Sequence, residues 1–130
     1  MKIIIPMAGW GTRLRPHTLT IPKPMLPVAG KPMVQRLVED LVKSTHQKID
    51  DIIFVIREDF GKVIPEQLLA IAKNVGSNGH IKYQDVPLGT AHAILCAGDF
   101  LDGNVIVAFA DTLFRADYKI DSSKDGIIWV

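Results

Sequence analysis

The sequence predicts an α/β fold in which a mainly parallel sheet is covered by helices on both faces. Three observations predict it. Short runs of continuous apolar, β-branched residues recur along the chain, as in Ile3-Ile4-Ile5 and Ile52-Ile53-Phe54-Val55-Ile56. Such runs are strands with no solvent-facing side, which is the pattern of a sheet buried on both faces. Segments of helical period separate them, and alternating strands and crossover helices build parallel sheets whose ligands sit beyond the carboxyl ends of the strands.

Each element has its own signal. Lys2 to Ile5 is the first strand, closed by Pro6 and followed by Gly9. Residues 14 to 32 are too rich in proline for regular structure and read as a long loop, and long loops inside small domains are usually functional. Pro32 suits a first helical position, and Met33, Leu37, Val38 and Leu41 recur at helical spacing to about Lys43. Ile52 to Ile56 is the second strand, Val63 to Lys73 the second helix and Ile81 to Gln84 a short third strand. Thr90 is placed to cap a helix over Ala91 to Phe100, and Val105 to Phe109 is the fourth strand. The Gly9 loop, Gln84 and Asp111 all fall at or just past strand carboxyl ends, so three segments are expected to converge on one rim. No internal repeat, low-complexity tract or linker interrupts residues 1 to 130, which read as one domain.

Composition narrows the function. With 130 residues and 48% apolar content the chain can form a core. A formal net charge of +1 argues against a polybasic nucleic-acid or membrane surface. That balance hides an asymmetry. The first 38 residues hold six basic side chains (Lys2, Arg13, Arg15, Lys23, Lys31, Arg36), six of the eight prolines and no Asp or Glu. The rest carries nine basic and fourteen acidic residues, a net of −5. Positive potential is therefore local, as a small-polyanion site requires. A single cysteine, Cys96, excludes an internal disulfide, no Cys/His cluster has structural-zinc spacing, and no apolar run approaches the length of a membrane span. A cytoplasmic protein is expected.

The chemistry lies in the loops. Gly9 and Gly11 let backbone approach a ligand, successive N–H groups there can cradle an anion, and Arg13 adds full charge. Alone, the motif is also compatible with a tight turn carrying a surface arginine. It is neither a Walker loop, since no Gly-Lys-Ser/Thr follows, nor a dinucleotide fingerprint, since Leu14 stands where a third glycine belongs. Lys23, between Pro22 and Pro24, is restrained and suits phosphoryl groups whose charge changes during reaction, or is simply an exposed lysine. Lys31 reads as solvated or structural. Asp111 follows an apolar run and Ala110, an apt place for a Mg²⁺ ligand, or for a carboxylate capping a turn. Asp99 and Asp102 read as turn residues. Gln84, at a strand end before Pro87-Leu88-Gly89-Thr90, offers the donor and acceptor needed to pair with a pyrimidine edge, and Gly89 would admit backbone close to the ring. His92 and Cys96, in a largely apolar helix, read as packing residues.

Together, Ala8-Gly9-Trp10-Gly11-Thr12-Arg13-Leu14-Arg15-Pro16, Pro22-Lys23-Pro24-Met25, Gly30-Lys31-Pro32-Met33, Pro87-Leu88-Gly89-Thr90-Ala91-His92-Ala93 and Ala110-Asp111 resemble the sugar-1-phosphate nucleotidylyltransferase family. The similarity runs over about residues 2 to 114. It implies a Rossmann-like, three-layer α/β/α version of the nucleotide-diphospho-sugar transferase fold. It also implies a Mg²⁺-dependent reaction in which a sugar 1-phosphate attacks the α-phosphorus of a nucleoside triphosphate and pyrophosphate leaves. By motif position, Ala8, Gly9, Gly11 and Thr12 would shape the triphosphate loop and Arg13 would hold the leaving pyrophosphate. Lys23 would bridge the reacting phosphates, Asp111 would bind Mg²⁺, and Gln84 and Gly89 would recognise the base. The segment from Gln84 to Ala91 looks more like members using UTP or dTTP than those using GTP. Ala8 stands where many members carry the first of two glycines, and Ala110 where a glycine is frequent.

The family's chains are usually about twice this length, and Gly126-Ile127-Ile128-Trp129-Val130 reads as a strand with nothing after it to pair with. The chain is therefore expected to be the N-terminal, nucleotide-binding part of a longer protein, binding nucleotide weakly and turning over little. The unpaired strand also raises the expectation of self-association. A non-catalytic nucleotide-sensing domain of the same fold is the alternative. Retention of Arg13, Lys23 and Asp111 together favours the enzyme.

Overall fold

The computed structural model describes residues 1–7, 25, 27–45, 48–84, 86 and 88–109. Along the chain these form β1 (Lys2–Pro6), a small hairpin of β2 (Pro27–Val28) and β3 (Lys31–Pro32), α1 (Met33–Thr45), β4 (Asp51–Ile56), α2 (Val63–Asn74), β5 (Asn78–Tyr83), α3 (Thr90–Leu95) and β6 (Val105–Val107). The main sheet has the order β5-β4-β1-β6, and every neighbouring pair is parallel. The predicted α/β architecture therefore stands.

Strand alternation sorts the core into two layers. Successive side chains of a strand point to opposite faces. Ile3, Ile5, Ile52, Phe54 and Ile56 accordingly pack with Val34, Leu37 and Leu41 of α1 and with Leu68 and Ile71 of α2. The interleaved Ile4, Ile53 and Val55 pack on the other face with Ala93 and Ala97. Ile4 lies in register with Ile53 on one side and Val107 on the other, so β1 is the buried centre of the sheet. Each such isoleucine contributes about 1.5–3 kcal/mol by leaving water.

Connectivity sets where ligands go. From β1 the chain moves outward through β4 to β5, then crosses back to place β6 on the far side of β1. Strand order reverses there, and in open parallel sheets the crevice at such a reversal, beyond the carboxyl ends, is the ligand site. Residues 8 to 24 follow the carboxyl end of β1, and their flanking residues are both anchored. Met7 donates its N–H to the Val55 carbonyl at 2.7 Å, and Met7 and Met25 are both buried in the α1/α2 core.

Several boundaries differ from the sequence reading, each for a local reason. The end of the proline-rich stretch is not structureless, because Val28 pairs with Lys31 across an Ala29-Gly30 turn, and Pro32 lies in β3 rather than opening α1. Both turn residues have positive φ, 51° at Ala29 and 88° at Gly30, the backbone of a tight hairpin. Arg36 Nη2 donates to the Ala29 carbonyl at 2.7 Å, tying the turn to α1. Strand β5 starts at Asn78, not Ile81, since Asn78, Gly79 and His80 carry no apolar pattern yet pair with Asp51, Ile52 and Ile53. Helix α3 ends at Leu95, and a 3-10 turn over Gly98–Leu101 follows, because Gly98 takes φ +57° and breaks the helix. β6 stops at Val107, although the Ala108 N–H still reaches the Ile4 carbonyl at 3.0 Å. The strand predicted at 127–130 lies outside the described residues.

Candidate functional site

Because the four described strands of the main sheet run the same way, their carboxyl ends share one rim. Gln84 is held on it. Its N–H donates to the carbonyl of Ile56, the last residue of β4, at 2.8 Å, which extends the ladder one residue past β5. Its side chain is turned inward, and the residue is 7% exposed. A buried amide must find partners. Nε2 donates to the Gly89 carbonyl at 3.2 Å and meets Nδ1 of His92 at 2.9 Å.

Gly89 is required by its backbone. It precedes α3 as the N-cap with φ 91° and ψ −179°, a conformation that is essentially glycine's alone. A Cβ built there meets nothing within 4 Å among the described residues. The demand is thus conformational, with no described side chain crowding the glycine. Thr90 is not the cap but the first helical residue, and Gly89 makes no side-chain cap. The Gly89 carbonyl also receives the Ala93 N–H at 3.2 Å, so helix and strand end are joined through one oxygen. Val86 and Leu88 beside it are exposed, Leu88 by 65%.

Of the predicted site residues, the structure thus brings Gln84 and Gly89 into direct contact. Ala8, Gly9, Gly11, Thr12, Arg13, Lys23 and Asp111 lie outside the described residues. Among the described residues no group of three or more His, Cys, Asp or Glu is placed to hold a metal ion. No described helix is long and apolar enough to cross a membrane. Lys31 is structural, with Nζ 3.2 Å from a Glu39 carboxylate oxygen. Cys96 packs at the margin of the α3-face core, as expected. His92, which the sequence presents as a packing residue, is half-buried and lies against the amide of Gln84. A polar side chain one helical turn after a glycine cap, downstream of a strand-end glutamine, was the available signal.

The nucleotidyl transferase family model matches residues 2–121. The chain belongs to that family. The motif resemblance and the fold are borne out together. Among curated relatives, the bifunctional protein GlmU of Methanococcus maripaludis is 34% identical over 117 residues, covering 88% of this chain and 26% of its own. A UTP-glucose-1-phosphate uridylyltransferase of Bacillus subtilis is 35% identical, covering 89% of this chain and 46% of its own. Among solved structures, a putative glucose-1-phosphate thymidylyltransferase from Bacillus anthracis superposes with a TM-score of 0.71 at 27% identity, over 89% of this chain and 46% of that one. A UDP-glucose pyrophosphorylase complexed with UDP-glucose gives a TM-score of 0.65 at 28% identity, over 85% and 45%. This nucleotidyl transferase chain spans at most about half the length of these relatives.

Proposed function

We propose that the chain is the nucleotide-binding part of a sugar-1-phosphate nucleotidylyltransferase, joining UTP or dTTP to a sugar 1-phosphate to give a nucleoside diphosphate sugar and pyrophosphate. The observation that carries this is the buried Gln84 amide at the strand-end rim, bonded to a glycine whose backbone only glycine adopts. With its nitrogen committed to the Gly89 carbonyl, the amide keeps its oxygen as an acceptor. The Gly89 N–H is a donor to which no described group is bonded. Uracil and thymine offer the complement, a ring N–H next to a carbonyl oxygen. Cytosine offers a lone pair and an amino group in the same places, and would set acceptor against acceptor and donor against donor.

The chemistry assigned to the remaining motif residues follows from charge. An oxygen of the sugar phosphate forms a bond to the α-phosphorus, the bridging bond to the β-phosphate breaks, and pyrophosphate departs with the electron pair. Little covalent work falls to the protein, which aligns the reactants and neutralises charge. Arg13 would hold the departing pyrophosphate and Lys23 the phosphates between which the bond changes. Mg²⁺ would supply further charge neutralisation, with the hard oxygen donor of Asp111 as its ligand. Support for a uridylyl or thymidylyl donor also comes from the relatives, two of which are named for UTP-glucose-1-phosphate and glucose-1-phosphate thymidylyl transfer. Glucose 1-phosphate is therefore the first acceptor to test, and the cytoplasm the expected compartment.

Calorimetric titration with UTP, dTTP, GTP, CTP and ATP in Mg²⁺, alongside a pyrophosphate-release assay with glucose 1-phosphate, tests the proposal. Weak, uracil- or thymine-selective binding with slow turnover is expected. Arg13→Ala should weaken every nucleotide alike. Equal binding of all five nucleotides, or an Arg13→Ala variant that binds as well as the wild type, would overturn it.

A further inference from the structure

We infer that His92 is a specificity-positioning residue: its Nδ1 accepts a hydrogen bond from Gln84 and thereby fixes the face of the amide that reads the base. The inference rests on the assignment of Gln84 to the base. It comes from the donors and acceptors at this corner. The Gly89 carbonyl can only accept, so the group 3.2 Å from it is the amide nitrogen and not the oxygen. One hydrogen of that nitrogen is thereby used. The other faces His92 Nδ1 at 2.9 Å, which must then present its lone pair. The Cys96 sulfur, 3.9 Å from the same ring nitrogen, brings a second weak donor to it. Two donors facing one imidazole nitrogen select the neutral tautomer with its proton on Nε2.

One anchor would not suffice. With the Gly89 carbonyl alone, the amide can turn about that single bond and swing its oxygen away from a fixed line. A second anchor on the other hydrogen sets the amide plane, and the oxygen is presented in one direction. Preorganisation of this kind alters discrimination more than it alters gross affinity, because phosphate contacts are untouched. His92 does not contact the base in this scheme; it acts through Gln84.

The test compares three variants of the whole chain by calorimetric titration with UTP and CTP. Asparagine can carry an acceptor oxygen close to where histidine carries Nδ1, whereas leucine fills the space without one. His92→Leu is expected to reduce the UTP-over-CTP preference by up to about tenfold, the worth of one lost hydrogen bond. His92→Asn should retain most of the preference, a rescue that packing alone would not produce. In the wild type, nitrogen-15 spectra of the imidazole should show the proton on Nε2 and Nδ1 accepting. A proton on Nδ1 overturns the inference without any variant, should His92→Leu fail to fold. Wild-type preference in His92→Leu with preference lost in Gln84→Ala overturns the role of His92 and leaves the base assignment standing. Preference unchanged in both overturns the base assignment, and the role of His92 with it.

Discussion

The two faces of the sheet are built differently. On one, long side chains of α1 and α2, among them Leu37, Leu41 and Leu68, close over Ile3, Ile5 and Phe54, all fully or almost fully buried. On the other, the six-residue α3 contributes the small Ala93 and leaves Leu95 66% exposed. The sheet residues of this face, Ile4, Ile53 and Val55, are just as fully buried, but the described helix over them is short and presents small side chains. Alanine against the sheet lets the start of α3 lie beside the end of β5, so that the Gly89 carbonyl and the His92 ring both reach Gln84. Among the described residues, most large buried side chains belong to the α1/α2 face, and the proposed recognition contact lies at one corner of the α3 face.

Truncation on the first face should break that contrast most severely. Phe54→Ala is expected to cost about 3–5 kcal/mol, from lost transfer energy and the cavity left behind. Leu95→Ala should change stability by no more than about 0.5 kcal/mol. Urea unfolding of both variants checks this, and equal losses would mean that the exposed Leu95 carries as much stability as the buried Phe54.

A smaller effect is expected where β5 meets α2. A Cβ on Gly79 would lie 2.9 Å from Leu69 Cδ2, 3.0 Å from Ala72 Cβ and 3.3 Å from the Leu69 backbone. The methyl end of Leu69 can move, but the backbone cannot. Gly79→Ala should therefore destabilise by about 1–3 kcal/mol, the usual cost of overpacking, seen as a lower thermal midpoint. An unchanged midpoint would mean that the helix slides freely on the strand.

The smallest effect concerns Glu39 on α1. Partial burial pushes its carboxyl pKa up, but hydrogen bonds from Gln35 and Lys31 and the charges of Lys31 and Lys43 outweigh this, leaving it lowered. A carboxyl held low when folded adds stability above its unfolded pKa, and that stability is lost as pH falls through the folded value. For so accessible a pair the gain is only a few tenths of a kcal/mol. Glu39→Gln should therefore narrow the stability difference between neutral and acidic solution slightly, as followed by urea midpoints across that range.

How much of this the sequence revealed depends on what each segment relies upon. Ile3 to Ile5 and Ile52 to Ile56 were legible because burial on both faces writes itself as an unbroken apolar run. Asn78 to His80 were not, because their strand is made by backbone pairing, with Gly79 chosen by the nearness of Leu69. The hairpin was hidden by its prolines and by an alanine at positive φ, a conformation alanine seldom takes. At the candidate site, a strand end followed by a turn marked Gln84 and Gly89, which the fold brings into contact. The contact of His92 with Gln84 was not marked, since it depends on which side chain the fold brings to that ring. Arg13, Lys23 and Asp111 lie outside the described residues, and their roles rest on motif position.

The central claim, that Gln84 at the strand-end rim reads a pyrimidine through its acceptor oxygen, is tested most directly by the ratio of UTP to CTP affinity in Mg²⁺ for the wild type and Gln84→Ala. A clear preference for UTP that collapses toward parity in the variant, with UTP binding still measurable, is the predicted result. A preference that survives the loss of Gln84 would contradict it.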